Sequence, residues 1–149
     1  MGDARLCTFK LNGYDFGVEV SKVQEVLKRL PTTRVPLAPG AVAGLVNLRG
    51  EIVTAIDLRL RFGYPDRAPG AAAMNVVVRT AEGVFSFVVD AVGDFVDAAE
   101  ADFEPPPDTV SGDARRLIRG AYKLKDRLLL ALDAEAAADF GTCAPATAQ

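Results

Sequence analysis

Histidine is absent from this chain of 149 residues, and cysteine occurs only twice. The commonest general base and metal ligand is therefore missing, which excludes the usual serine and cysteine triads and a phosphohistidine-bearing kinase domain. Cys7 lies in an apolar segment and Cys143 in a small-residue tail, so the pair fits neither a disulfide framework nor a zinc spacing. We predict two free thiols and no metal or other cofactor.

Long apolar runs are also lacking. No stretch reaches the roughly 20 apolar residues that span a bilayer, and the first residues contain no apolar signal region. Half of the residues are nevertheless apolar, which is enough for one domain with a buried core. We therefore expect a single domain over residues 1–140, a disordered tail over residues 141–149, and a cytoplasmic protein without direct membrane insertion.

Positive charge is missing from a long part of the second half. No Lys or Arg occurs between Arg79 and Arg115, whereas nine acidic residues do. Residues 1–73 carry ten basic and seven acidic side chains, and residues 74–149 carry seven and thirteen. The net charge of −3 argues against a nucleic-acid backbone as the partner. A solvated acidic face explains the acidic segment better than a metal site does.

Alternation of apolar and polar residues predicts a β-hairpin at the start of the chain. Residues 6–20 alternate on either side of Asn12-Gly13, which is typical of a tight hairpin turn. The spacing of apolar residues over 21–30 instead predicts one short helix, which a capping box at Ser21 would open.

Most of the remaining chain is also predicted as short strands. The predicted turns and loops between them are Pro39-Gly40, Arg49-Gly50, residues 64–73, Glu82-Gly83 and Lys125-Asp126. Some ten short strands without regular strand–helix alternation indicate small β-barrels. We predict two barrels that share one core, joined by the loop near residues 64–73.

Three aspartates end apolar strands in the same way, namely Asp57, Asp90 and Asp133. A carboxylate at such a position could be a phosphoacceptor, or Asp57 and Asp90 could form the catalytic pair of a hydrolase. Each one, however, precedes a helical turn or a strand break, where its oxygens can accept free backbone N–H groups. We predict a capping role for all three, because no phosphate loop or nucleophile motif supports an enzyme.

Arg49 is conspicuous in the segment GLVNLRGEIVTAIDL, residues 44–58, because it stands between two apolar strands. Gly50 allows a turn with positive φ that leaves the guanidinium accessible. The five fixed donors and flat face of arginine suit an interface anchor. An ion pair with a carboxylate such as Glu25 explains the residue equally well, and the residues alone leave the two possibilities open.

The segment GLVNLRGEIVTAIDLRLRFG resembles the signature of CheW-like domains. Further segments agree in family order: KVQEV (22–26), RVPLAPGAVAG (34–44), FSFVVDAVGDFV (85–96) and IRGAYKLKDRLLLALD (118–133). The resemblance extends from about Cys7 to Phe140. It implies a mainly β fold of two intertwined five-stranded SH3-like β-barrels with short helices and no catalytic site.

The resemblance further implies a stand-alone, non-enzymatic adaptor, bacterial or archaeal, that couples chemoreceptors to a CheA-type histidine kinase. In this family the receptor's cytoplasmic tip docks in the groove between the barrels, and the kinase's regulatory CheW-like domain pairs with barrel ends. The output could be flagellar, or it could be pilus motility or development. Carried over by motif, the receptor- and kinase-binding residues are Val23, Glu25, Val26, Gly44, Asn47, Arg49, Gly50, Val76 and Phe95.

A nucleic-acid-binding small barrel is the alternative from another class. It would need a basic groove with exposed aromatic residues, and only 7% of this chain is aromatic, with the phenylalanines mostly at inward positions.

Within the adaptor hypothesis, the two kinase contacts use opposite barrels. The charge asymmetry between the halves then predicts that acidic residues such as Asp94 and Asp97 fix the orientation of the protein in a ring with the kinase.

Overall fold

The computed structural model describes residues 4–38, 40–108, 110 and 112–139. The predicted turn residue Pro39, the predicted tail over residues 141–149 and Cys143 lie outside the described residues. Cys7 is a free thiol, as predicted, and it is fully buried.

The described residues form a mainly β structure with three short α-helices. The strands are β1 (Ala4–Leu11), β2 (Tyr14–Glu19), β3 (Val23–Lys28), β4 (Val42–Leu48), β5 (Glu51–Asp57), β6 (Met74–Thr80), β7 (Gly83–Val89), β8 (Ala91–Ala98), β9 (Phe103–Glu104), β10 (Ile118–Lys123) and β11 (Leu128–Leu132). The helices are α1 (Leu58–Arg61), α2 (Asp113–Arg116) and α3 (Ala134–Ala138), and 3₁₀ turns lie at Val20–Lys22 and Glu100–Asp102.

Local turn and cap chemistry explains several element boundaries. Asn12 and Gly13 both have positive φ, 52° and 85°, which is the two-residue turn that a twisted hairpin favours. Asp57 caps α1 by accepting the Arg59 N–H at 3.0 Å, and Asp133 caps α3 by accepting the Ala136 N–H at 3.0 Å. The capping predictions for both aspartates are therefore confirmed.

The strands form two sheets that the chain builds in an intertwined order. The first has six strands in the order β8-β1-β2-β11-β10-β9, and the second has five in the order β3-β6-β7-β5-β4. The chain crosses between the sheets at the turn Val20–Lys22 and again at Asp90. The loop 64–73 does not join the two sheets, contrary to our prediction. The strands before and after it, β5 and β6, both belong to the five-stranded sheet.

Both sheets roll up so that their edge strands approach one another. Laid flat, six strands would separate β8 from β9 by about 24 Å, whereas the connection from Ala98 to Phe103 can span at most about 18 Å. In the five-stranded sheet, Thr33, which follows β3, exchanges backbone hydrogen bonds of 2.8 and 2.7 Å with Leu45 of β4 at the opposite edge. The prediction of two small barrels is consistent with this closure, and β9 is a short sixth strand beyond the five that we predicted.

The largest apolar cluster lies between the two sheets and draws on both. It contains Phe9 and Phe16 from the six-stranded sheet and Ile56, Val76 and Phe87 from the five-stranded sheet. Each sheet also has its own smaller cluster. The predicted shared core is therefore confirmed, and it holds the two barrels together by burial of apolar surface.

The predicted helix over residues 21–30 is wrong. The 3₁₀ turn Val20–Lys22 has no side-chain cap, and β3 then pairs antiparallel with β6, with Val26 opposite Val76. The apolar spacing at Val23, Val26 and Leu27 fits a helix, but a helix of ten residues is marginal in water by itself. The free edge of β6 offers backbone partners and apolar contacts that an isolated helix lacks, so tertiary pairing decides the conformation.

Candidate functional site

The β4–β5 hairpin places Arg49 and Gly50 at its tip. Both residues have positive φ, 53° and 91°, and the flanking residues Leu48 and Glu51 pair directly, so the turn has only two residues. The Asn47 side chain supports the turn, because its Oδ1 accepts the Gly50 N–H at 2.8 Å. A left-handed conformation is unfavourable for arginine, so the hairpin holds Arg49 in a conformation that glycine or asparagine would adopt more readily.

Arg49 forms a bidentate ion pair with Glu25 of β3. Its Nη1 contacts Glu25 Oε2, and its Nη2 lies 2.5 Å from Oε1. A hydrogen bond from Arg49 lowers the pKa of the Glu25 carboxyl, and the same hydrogen bond raises the pKa of Arg49, so both groups stay charged. The arginine side chain is nevertheless 67% exposed. Arg49 therefore forms the ion pair with Glu25 that the sequence suggested, and its guanidinium is still exposed to solvent. Its role as an interface anchor stays a prediction.

The ion pair joins opposite edges of the five-stranded sheet. Glu25 belongs to edge strand β3, and Arg49 follows β4 at the other edge. An exposed ion pair contributes little to stability. The pairing therefore matters mainly because it orients the guanidinium over the closed edge of the barrel. We call Glu25, Asn47, Arg49, Gly50 and Ile52 the Arg49 surface.

Ile52 belongs to this surface although the sequence reasoning missed it. It directly follows Glu51 and stands opposite Asn47 in the β4–β5 ladder. Its side chain is 61% exposed, which is unusual for isoleucine in a strand. The exposure of Ile52 could have been predicted from its pairing with the exposed Asn47, because residues opposite each other in a ladder lie on the same face of the sheet.

Three other predicted residues lie beneath this surface. Val23 and Val26 are half-buried and pack against the shared core. Gly44 is buried, with φ of 147°, and a Cβ on it would lie 2.2 Å from the Thr33 carbonyl oxygen. Gly44 therefore allows the close approach of β4 and the segment after β3 that closes the barrel.

Val76 and Phe95 stand apart from the Arg49 surface in different ways. Val76 is only 1% exposed and belongs to the shared core, so it cannot touch a partner directly. Phe95 is 51% exposed on β8, an edge strand of the six-stranded sheet, opposite Cys7 of β1. Phe95 is thus an accessible aromatic side chain on the other barrel, between the exposed residues Asp94 and Asp97.

The strand-end carboxylates that could have been catalytic belong to an arginine network. Arg67 lies 2.8 Å from Asp57 and 3.0 Å from Asp90, and Arg59 binds Asp90 at 2.9 Å. Asp90 also accepts the Asn12 N–H at 2.8 Å, so it satisfies a backbone group as predicted.

The electrostatics of this network do not suit a general acid. Burial raises the pKa of the Asp90 carboxyl, but hydrogen bonds from Arg59 and Asn12 outweigh it and leave the pKa lowered. A catalytic pair needs one carboxyl with a raised pKa, and here each carboxylate faces arginine instead. Within the described residues no group of three or more side chains could hold a metal ion.

The fold presents an exposed, ion-paired arginine at the tip of a hairpin. The profile of the CheW-like domain matches residues 5–140, and the chain belongs to this family. It is therefore a chemotaxis scaffold protein of the CheW type and not an enzyme.

Individual relatives agree with this assignment. The chain is 30% identical over 135 residues to the probable chemotaxis protein CheW of Rhizobium etli, covering 91% of this chain and 87% of the relative. It is 31% identical over 127 residues to the chemotaxis protein CheW of Helicobacter pylori, covering 85% and 76%. The crystal structure of the scaffolding protein TtCheW from Thermoanaerobacter tengcongensis superposes with a TM-score of 0.81 at 27% identity, covering 91% and 92%.

None of the helices among the described residues is long and apolar enough to cross a membrane.

Proposed function

We propose that this protein is a cytoplasmic adaptor that couples chemoreceptors to a CheA-type histidine kinase in a bacterial or archaeal chemosensory system. Residues 1–140 act as one domain, and receptor arrays at the membrane recruit the protein through its partners. The observation that carries the proposal is the Arg49 surface, where an ion-paired but 67% exposed arginine stands on a chemotaxis scaffold fold.

The chemistry of the Arg49 surface supports a protein partner. The guanidinium keeps N–H donors and a flat face toward solvent, and the nearby Ile52 offers apolar area. A central apolar contact with an adjacent charged group at the rim is the usual make-up of a protein interface. Glu25 holds the arginine in place before binding, so less side-chain entropy is lost when a partner binds.

The two barrels offer separate faces for separate partners. The Arg49 surface lies on the five-stranded barrel and Phe95 on the six-stranded barrel, and the shared core connects them. We propose that the receptor tip docks between the barrels and that the kinase's regulatory domain binds a barrel end. A receptor movement then shifts the population of active kinase, because the scaffold holds both partners in a fixed relation.

The test measures binding of the purified chain to a receptor signalling tip and to a kinase regulatory domain by calorimetry. We expect wild type to bind both, and Arg49→Ala to bind at least one of them about tenfold more weakly, as for an interface anchor. Arg119→Ala is the matched control, because Arg119 forms an exposed ion pair with Glu19 at 2.8 Å on the other sheet.

The outcomes separate the function from the role of the arginine. If wild type binds neither partner, the adaptor proposal fails. If Arg49→Ala binds both partners as wild type does, only the proposed role of Arg49 fails.

A further inference from the structure

A polar cleft of about 430 Å³ lies on the same barrel as the Arg49 surface. Its walls come from the segment after β3, from the start of β4 and from the loop between α1 and β6. The charged residues that line it are Arg29, Arg34, Asp57, Asp66 and Arg67. The edge strands β3 and β4, which meet to close the barrel, therefore carry both the cleft and the Arg49 surface.

Two of the three arginines in the cleft are available to a ligand. Arg29 and Arg34 are exposed, and neither has an ion pair or hydrogen bond with any other residue in the described part of the chain. Arg67 differs, because its side chain is only 9% exposed and Asp57 and Asp90 hold it. The cleft is thus lined by one neutralised arginine and by two arginines that are free among the described residues.

The charge balance of the cleft favours a ligand with a single negative charge. Three arginines and two aspartates line it, which leaves a formal charge of +1. Asp57 is neutralised by Arg67, whereas Asp66 accepts the Arg67 backbone N–H at 2.8 Å and forms no ion pair among the described residues. A carboxylate between Arg29 and Arg34 matches this balance, because guanidinium groups bind carboxylates with paired, charge-assisted hydrogen bonds. A phosphate dianion would carry one negative charge more than the cleft neutralises.

The cleft is large enough to admit a whole side chain of a larger molecule, and one of its walls is held by hydrogen bonds within the protein. Its volume greatly exceeds that of one carboxylate and lies in the usual range for ligand sites. One wall is the buried Asn75, whose Oδ1 accepts the Leu30 N–H at 3.0 Å and whose Nδ2 donates to Ser86 at 2.7 Å. This wall is therefore formed before a ligand enters.

We propose that the cleft between Arg29 and Arg34 receives the carboxylate of one Glu or Asp side chain from a protein partner. The choice of a protein partner rests on the proposed adaptor function, because β3 and β4 carry both the cleft and the Arg49 surface. The carboxylate chemistry rests on the cleft alone.

The first experiment tests the cleft without a partner. The ¹⁵N-labelled chain is titrated with the peptide acetyl-Ala-Glu-Ala-amide, with its Gln counterpart, and with inorganic phosphate at matched ionic strength. We expect saturable shifts of the Ala43 and Gly70 amides with the Glu peptide, at least about fivefold weaker binding of the other two probes, and loss of binding in Arg29→Gln/Arg34→Gln. The control Lys123→Gln/Lys125→Gln removes the same charge from exposed positions and keeps the response.

The carboxylate assignment is overturned by any one of three results. These are no saturable shift with the Glu peptide, an equal affinity for the Gln peptide or phosphate, and an equal loss of binding in the control variant.

The second experiment tests the partner. The Arg29→Gln/Arg34→Gln variant should bind the receptor tip or the kinase regulatory domain about three- to tenfold more weakly than the control variant does. If both partners bind the two variants equally, the partner inference fails while the adaptor function stands. If wild type binds neither partner, the adaptor function itself fails, and the peptide titration still decides the chemistry of the cleft.

Discussion

Replacing Gly44 by alanine tests how the five-stranded barrel closes. An added Cβ would lie 2.2 Å from the Thr33 carbonyl oxygen and 2.8 Å from Thr32 Cγ2. The first of these is a backbone atom, so a side-chain rotation cannot relieve the contact. The φ of 147° at Gly44 is also a conformation that alanine rarely adopts. Thr33 must therefore move away from β4.

The expected loss of stability follows from these contacts. Positive φ costs a non-glycine residue about 1–3 kcal/mol. Separating Thr33 from Leu45 breaks the two backbone hydrogen bonds of 2.8 and 2.7 Å between them. At about 0.5–1.5 kcal/mol each, their loss brings the total to about 2–6 kcal/mol. This is a large part of the roughly 5–15 kcal/mol by which a typical domain is stable.

Gly63→Ala is the matched control. Gly63 has φ of +79°, and nothing lies within 4 Å of the position that an added Cβ would occupy, so this variant carries the backbone cost without the collision. We expect it to lose about 1–2 kcal/mol. Urea unfolding followed by far-ultraviolet circular dichroism measures the free energy of unfolding of both variants. If Gly44→Ala loses no more stability than Gly63→Ala, barrel closure does not depend on the close approach at Gly44.

Three further predictions concern the charges and the buried thiol. Asp90→Asn should lower the free energy of unfolding at pH 7 by about 1–3 kcal/mol, because Arg59 loses its ion pair and Arg67 keeps only Asp57 as a charged partner. Folding lowers the pKa of Asp90, so its charge stabilises the protein above the ordinary pKa of about 3.9, and this effect is lost as the pH falls through the lowered pKa. The free energies of unfolding of wild type and Asp90→Asn should therefore converge in acid. Neutralising Asp94 and Asp97 to asparagine should slow association with the kinase regulatory domain and flatten its dependence on salt, and an unchanged on-rate across a salt series would refute an orienting role. In a Cys143→Ser background, the buried Cys7 thiol, whose pKa burial raises, should react with a disulfide reagent only as fast as the protein opens, and rapid reaction under native conditions would contradict its burial.

Features of the candidate site that depend on neighbouring residues could be predicted from the sequence, and features that depend on residues far apart in the chain could not. The Arg49-Gly50 turn was predictable, because a two-residue turn is set by the residues within it and beside it. The pairing of Arg49 with Glu25 could be suggested but not decided, because the partners are 24 residues apart and meet only when the sheet closes.

Burial at individual positions was predicted less well. Val76 matched a motif position of the binding surface, yet its 1% exposure places it in the core. Ile52 went unnoticed although it is 61% exposed. The alternation of a strand separates two faces, but in a barrel the neighbouring strands and the second sheet decide which face is covered.

The chain by itself determined the features that depend on neighbouring residues. These include the turn at Asn12-Gly13, the caps at Asp57 and Asp133, and an apolar content sufficient for one shared core. Tertiary structure alone decided that residues 23–28 form a strand and not a helix, and that opposite sheet edges meet beneath Arg49. The physical reason is that both outcomes depend on the free energy of contacts between segments far apart in the chain, and local preferences of about 1 kcal/mol do not outweigh those contacts.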